Sequence, residues 1–298
     1  MNHVPIRLHT LRPDASVLFD VFIRVGEKHI HYIRANEPFD GDRIERLRSK
    51  GVKKLFVRQE DETLYLEYLD QGLSALSGNS RSTQEKGALA HDTLVTDAEN
   101  IERSMETEEG FRRVEGRVNK VVEFLQNEKG ALKGIMEAAG CSADDFQHGA
   151  NVASMASALA LRVGGVTPRE LLDLSFGALV HDIGKSKAPA GEDPKTSLKR
   201  HPERGVEVLA AKKFVTPGIL RLVVEHEEIG EGQGYPEKKK IESMHVTSQI
   251  LSLCNHFDRV ATQKQIVPTE LMKVFFQEKA DLFDLNHITI LGELLNGK

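Results

Sequence analysis

Apolar and polar residues alternate near the start of the chain: Phe19, Val21 and Ile23 share one side of the segment Val17 to Ile23, and Ile30 and Tyr32 resume the two-residue period after Val25-Gly26-Glu27-Lys28. The pattern predicts a β-hairpin. After Pro38-Phe39-Asp40-Gly41-Asp42 a short helix is expected around Ile44 and Leu47, then a strand from Val52 to Val57 and a helical end from Leu64 to Leu69. Residues 1–72 therefore read as a small α+β unit. Between Gln71 and Ala98 large apolar residues thin out, and Ser77-Gly78-Asn79-Ser80-Arg81-Ser82-Thr83-Gln84 has the composition of a flexible linker. The domain boundary is expected there, with the linker over 73–104. Beyond it the period becomes helical. Val114, Val118, Val121, Val122 and Leu125 mark one face, and similar patterns recur over 146–163, 169–181, 203–213, 217–228, 244–262 and 269–279. The expected architecture is two domains, a small α+β N-terminal domain followed by an all-α helical bundle over 105–298. There is no internal repeat and no sustained heptad register, although the 105–127 helix could pair in a homodimer.

Composition narrows the class. The chain has 298 residues, long for one ordinary domain and comfortable for two. With 40% hydrophobic and 29% charged residues it can bury a real core. A net charge of −5 gives no basic excess for a nucleic-acid polymer, although one cationic pocket for a small anion remains open. The two cysteines, Cys141 and Cys254, are far apart in segments that read as helical, which argues against a disulfide framework and fits a reducing cytoplasm. No signal peptide is evident and no apolar run approaches the ~20 residues that membrane insertion requires.

Histidines gather in the helical region, at His148, His181, His201, His226, His245, His256 and His287. His181-Asp182-Ile183-Gly184-Lys185 closes an apolar helix, and Gly184 is expected to end it in a left-handed conformation. Asp144 and His148 stand four residues apart, on one helical face. Taken alone, such a pair is more often a surface ion pair than a ligand pair. His201-Pro202 is expected to precede a helix. His226-Glu227-Glu228 runs into Gly230-Glu231-Gly232-Gln233-Gly234-Tyr235-Pro236, a loop whose backbone can approach a ligand closely or simply turn. Lys238-Lys239-Lys240 reads as solvated surface, and the helically spaced Phe111, Phe124, Phe275 and Phe276 read as core. In the N-terminal unit His29 and His31 share a strand side without a third ligand.

The order His148, His181-Asp182-Ile183-Gly184-Lys185, His201-Pro202, His226-x-Glu228 and Gly232-x-Gly234-Tyr235-Pro236 resembles the HD-GYP subgroup of the HD-domain metal-dependent phosphohydrolases, over roughly residues 140–290. A bare His-Asp is weak evidence, as His91-Asp92 in the linker segment illustrates. The ordered set is much more specific. The resemblance implies two or three divalent metal ions, iron or manganese, held at Asp144, His148, His181, Asp182, His201 and His226. It implies that Asp182 and Lys185 are catalytic, with Lys185, Gly234 and Tyr235 meeting the substrate, cyclic di-GMP, and linear dinucleotide or GMP as product. The implied chemistry is metal-assisted attack of hydroxide on phosphorus, with Lys185 countering the developing charge.

The chain departs from the family pattern at two ligand positions. Glu227 stands where a second histidine is usual, a harder donor that can still ligate. Asn255, in Ile250-Leu251-Ser252-Leu253-Cys254-Asn255-His256-Phe257-Asp258, stands where a ligating aspartate is usual, with Asp258 or His256 as substitutes. No counterpart of the family's Arg-x-Tyr-Arg stretch is evident between Arg259 and Pro268. Three functions stay open: a cytoplasmic cyclic di-GMP phosphodiesterase, a catalytically impaired relative that binds nucleotide or protein, and an HD hydrolase of another nucleotide. The N-terminal unit reads as a sensory or interaction module for signalling protein partners.

Overall fold

The computed structural model describes residues 2–12, 16–37, 40–78, 81–140 and 144–298; Pro38, Phe39 and Cys141, and the linker residues Asn79 and Ser80, lie outside the described residues. The chain is mostly helical, with a small antiparallel four-stranded sheet near its N-terminus in the order β1-β4-β2-β3. The expected hairpin is β2 (Val21–Val25) and β3 (Lys28–Ile33), turned at Gly26, whose φ of +61° suits glycine. A strand missed by the alternation, β1 (His3–Arg7), pairs with β4 (Lys54–Arg58), and Phe22 of β2 faces Phe56 of β4. Helices α1 (Gly41–Ser49) and α2 (Glu62–Ser74) close this layer. Ile6, Phe19, Ile33, Leu55, Val57 and Tyr65 fill its own hydrophobic cluster.

A second cluster runs from Leu73 to Leu295 through the helices. They are α3 (Thr83–Glu99), α4 (Ile101–Ser104), α5 (Glu108–Asn127), α6 (Ala131–Ala139), α7 (Asp145–Val163), α8 (Pro168–Val180), α9 (Pro194–Ala210), α10 (Pro217–Glu225), α11 (Val246–Lys264), α12 (Pro268–Lys279) and α13 (Leu285–Leu295). Their starts follow from local chemistry. Ser82 with Glu85 and Thr167 with Glu170 form capping boxes, and Pro168, Pro194 and Pro217 occupy first turns where no N–H is needed. Helix α7 is buried along both sides from Gln147 to Ala160, and its alanines and serines let neighbouring helices approach. Helix α5 spends its apolar face, Phe111, Val114, Val118 and Val121, inside this same core.

Three expectations are corrected. Residues 73–104 are not a flexible linker over most of their described length: α3 crosses the bundle with Leu89, Ala90, Leu94 and Val95 buried. Its Asp97 takes the buried guanidinium of Arg117 from α5 at 2.6 Å, which also reaches Asp70 of α2 at 3.1 Å. His201-Pro202 does not precede a helix. Asp193 caps α9 by accepting the N–H of Thr196, so the helix begins at Pro194 and Pro202 lies inside it. Gly184 does not take a left-handed conformation; it sits in a 3-10 turn, Ile183–Lys187, where a Cβ would lie 2.0 Å from the carbonyl oxygen of His201.

Candidate metal centre

Four helices deliver imidazoles to one buried point. His148 comes from the first turns of α7, His181 follows the last turn of α8, His201 lies in α9 and His226 follows α10. A histidine ring can turn back onto the carbonyl three residues earlier, at a helix end as for His181 and His226 or inside the helix as for His201, and the chain uses this repeatedly. Nδ1 of His181 donates to Ala178 O at 2.7 Å, Nδ1 of His201 to Leu198 O at 2.5 Å and Nδ1 of His226 to Val223 O at 2.7 Å. A carbonyl only accepts, so the proton sits on Nδ1 and the lone pair on Nε2 faces inward. His148 is fixed likewise, its Nδ1 donating to Asp258 Oδ2 at 2.7 Å.

The inward nitrogens then confront one another. Nε2 of His201 lies 2.8 Å from Nε2 of His226, and Nε2 of His181 lies 3.2 Å from Nε2 of His148. Facing lone pairs repel unless a cation or a proton lies between them. Asp182 stands in the middle: Oδ2 is 3.4 Å from His181 Nε2 and 3.7 Å from His148 Nε2, while Oδ1 is 3.1 Å from His201 Nε2 and 3.6 Å from His226 Nε2. Oδ1 is buried without a hydrogen-bond partner, an orphaned acceptor among acceptors. Two donor sets result, His148-His181-Asp182 and Asp182-His201-His226-Glu227, sharing one carboxylate. This donor chemistry fits divalent cations, and HD domains bind divalent metals.

The electrostatics agree. Burial pushes His181 down to about 4 against the opposing pull of Asp182, leaving it neutral at neutral pH, as a ligand must be. Burial lowers His201 as well. Burial opposes charge on His226 too, yet Asp182 and Glu227 outweigh it and lift His226 above the ordinary value. Burial would raise the carboxyl of Asp182, but His181, His201 and His226 hold it well below the usual range. The pocket favours positive charge at its centre.

Asn255 and Glu227 are both drawn in. Asn255 Oδ1 lies 3.0 Å from His148 Nε2, its amide donating to His226 O at 3.1 Å, so an amide oxygen faces the first donor set. Asp258 does not take that place; it lies behind His148. His256 keeps its distance, 3.9 Å from Glu227. Asp144 lines the cavity beside Asp182 and Lys185, and among the described residues it joins neither donor set. Its carboxylate accepts the N–H of Phe146 at the start of α7 and lies 4.0 Å from Arg7 of β1. Lys185 Nζ rests on Asp182 Oδ2 at 2.6 Å. The ring of Tyr235 stands 6.3 Å from that of His201, and burial, then the Glu227 carboxylate, push its phenol upward. Gly234 offers no open backbone: a Cβ there would lie 2.4 Å from Glu227 O, so this glycine packs the loop onto its own chain. Glu228 anchors the same loop by accepting the N–H groups of Glu237 and Lys239.

Arg259 of α11, absent from the sequence-based ligand set, contacts Glu227 and lies 3.7 Å from Asp182 Oδ1. Its position four residues past Asn255 on one helical face was the available signal. Beside Asp182 and Lys185 opens a cavity of about 840 Å³, walled by Glu99, Asn100, Glu102 and Arg103 on one side and by Phe146 and Ile183 on the other. That volume lies within the range of small-molecule sites. Elsewhere, His29 stacks on His3 at 4.1 Å and His31 pairs with Asp20 at 3.3 Å, and among the described residues no metal-donor set gathers there. Lys239 and Lys240 are paired with Glu225 and Glu231. No helix among the described residues is long and apolar enough to cross a membrane.

Comparison with known proteins agrees with this geometry. Residues 135–284 match the HD domain family. Over 133 residues the chain is 26% identical to the cyclic di-GMP phosphodiesterase PA4108 of Pseudomonas aeruginosa, covering 41% of this chain and 32% of that protein, so the match spans about a third of the relative's length. Among solved structures, Bd1817, an HDG"Y"P protein from Bdellovibrio bacteriovorus, superposes with a TM-score of 0.79 at 25% identity, covering 99% of this chain and 100% of the other. The chain belongs to the HD-domain family and, within it, to the HD-GYP subgroup.

Proposed function

We propose that this chain is a metal-dependent phosphodiesterase that hydrolyses cyclic di-GMP to the linear dinucleotide or to GMP. The observation that carries the reading is the convergence of four Nε2 lone pairs on the two oxygens of Asp182. Similarity to a cyclic di-GMP phosphodiesterase supports the substrate. Two divalent ions, manganese or iron, would be held by His148, His181 and Asp182 and by Asp182, His201, His226 and Glu227, and when bound would lower the pKa of a coordinated water and neutralise phosphate charge. Asp182 bridges the halves. Lys185, at the mouth of the cavity, exchanges its contact with Asp182 for a phosphate oxygen and opposes the charge that develops there. Tyr235 screens His201 from one side. Residues 1–72 act as a sensory or interaction unit attached to this centre.

Two observations favour a second reading. Arg259 already places a cation against Glu227, and Asn255 supplies an amide where a carboxylate is usual, which suits a relative that binds nucleotide without cutting it. Metal content of the purified protein, measured together with turnover of cyclic di-GMP under manganese or ferrous iron, separates the two. Bound metal with turnover supports the phosphodiesterase; bound nucleotide without turnover supports the second reading; metal-free protein that binds neither removes both.

A further inference from the structure

A line of polar side chains leaves the back of His148 and ends on the N-terminal sheet. Asp258, which accepts Nδ1–H of His148 with one oxygen, accepts the amide of Asn151 with the other at 2.9 Å. Asn151 Oδ1 faces Nε2 of His91 at 3.1 Å, and Nδ1 of His91 faces Asp92 Oδ1 at 3.3 Å. Asp92 Oδ2 then accepts the backbone N–H of His9 at 3.2 Å and lies 3.0 Å from its Nδ1, in the turn Leu8–Thr10 that follows β1. His91, Asp92, Asn151 and Asp258 are all buried, and the chemistry proposed above uses none of them. His9 is half-buried.

Each link forbids the alternative of the one before it. A flipped Asn151 amide would set its oxygen against the Asp258 carboxylate, which only accepts, so the amide N–H stays on Asp258 and the amide oxygen turns to Nε2 of His91. A His91 ring turned away would leave Asp92 and Asn151 buried with unmet partners, at about 1–3 kcal/mol each. Asp92 is anchored in turn by two groups of His9. The line therefore transmits orientation: the N-terminal unit holds Asp92, and through His91 and Asn151 it holds the Asp258 carboxylate, whose acceptor oxygen keeps the proton of His148 on Nδ1.

We infer that Asn151, His91 and Asp92 are positioning residues for His148, and that through them the turn at His9 sets the affinity of the donor set containing His148 for its cation. The inference rests on the reading that this donor set holds a divalent ion. Residues behind a ligating histidine typically govern metal affinity by about 10- to 100-fold.

The test titrates the metal-free full-length protein with Mn²⁺ alone and follows the bound ion by electron paramagnetic resonance, for the wild type and for Asp258→Asn, Asn151→Asp and Asp92→Asn. Expected are losses of affinity of about tenfold or more for the first two and a smaller loss for the third, with an altered signal of the bound ion, which a merely structural role would not produce. His9→Ala, at a half-buried position outside the bundle, keeps the question open to test if a buried variant does not fold; it should weaken Mn²⁺ binding in the same direction. Folded Asn151→Asp and Asp92→Asn, or folded His9→Ala, with wild-type affinity and signal would overturn the inference while leaving the metal reading intact. A wild-type chain that binds no Mn²⁺ would sink both.

Discussion

Lys185 and His181 lie within five residues of each other yet serve different ends. His181 is fully buried with its proton committed to Ala178, so it can only offer a lone pair; Lys185 is partly exposed at the cavity. His181→Ala should therefore lose bound metal and turnover together, whereas Lys185→Ala should keep its metal and lose turnover by on the order of 100-fold. Metal analysis beside initial rates checks both, and equal metal loss in the two variants would refute the division of roles. Asp92 supports a prediction about pH. Burial would raise its carboxyl, but His9 and His91 hold it well below the ordinary value. A carboxylate lowered in the folded state adds stability above its unfolded pKa of ~3.9, and that contribution is lost as pH falls below it. Urea denaturation of wild type and Asp92→Asn should show a stability gap that is present near pH 5 and narrows as pH falls below about pH 4. Most individual donors were legible because their residue types and order are distinctive. Asn151 was not, since an asparagine one helical turn from a ligand carries no mark of which way it points.

Among the elements, amphipathic helices such as α5 announce themselves through Val114, Val118 and Val121, whereas α3 does not. It is buried largely through small and polar residues: Thr93 and Thr96 return their hydroxyls to Leu89 O and Asp92 O, His91 meets Asn151, and Asp97 meets Arg117. A reading based on apolar content therefore sees a linker. Ser82-x-x-Glu85 was the available signal, a capping box that marks a helix start. Gly87 shows how close the packing is, for a Cβ there would lie 2.5 Å from the backbone of Gly134 in α6. The same logic governs Gly184, which was legible as a special position but for the wrong reason, since its value is the approach of α9 rather than a left-handed turn. Gly184→Ala should drive the His201 backbone away, costing about 3 kcal/mol or more and loosening metal binding beyond the stability loss. Thermal melting with and without Mn²⁺ measures the two effects, and an unshifted melt would contradict the contact.

For the whole molecule, the helical bundle was readable from periodicity, and the gathering of histidines and carboxylates at its centre from motif order. What could not be read was how the N-terminal sheet attaches, because that contact runs through polar pairs such as His9 with Asp92 and Arg7 and Lys54 with Glu99, scattered across distant positions. Helix α3 carries both of those acidic partners and at the same time packs Leu89, Leu94 and Val95 into the bundle. Anyone dividing this chain by composition would cut on the wrong side of that helix. A fragment spanning 105–298 should aggregate or melt without cooperativity, since its bundle lacks a wall, whereas one spanning 81–298 should give a sharp unfolding transition. The helix thus works as a shared beam, and neither half can be prepared as a faithful copy of itself without deciding which of them keeps it.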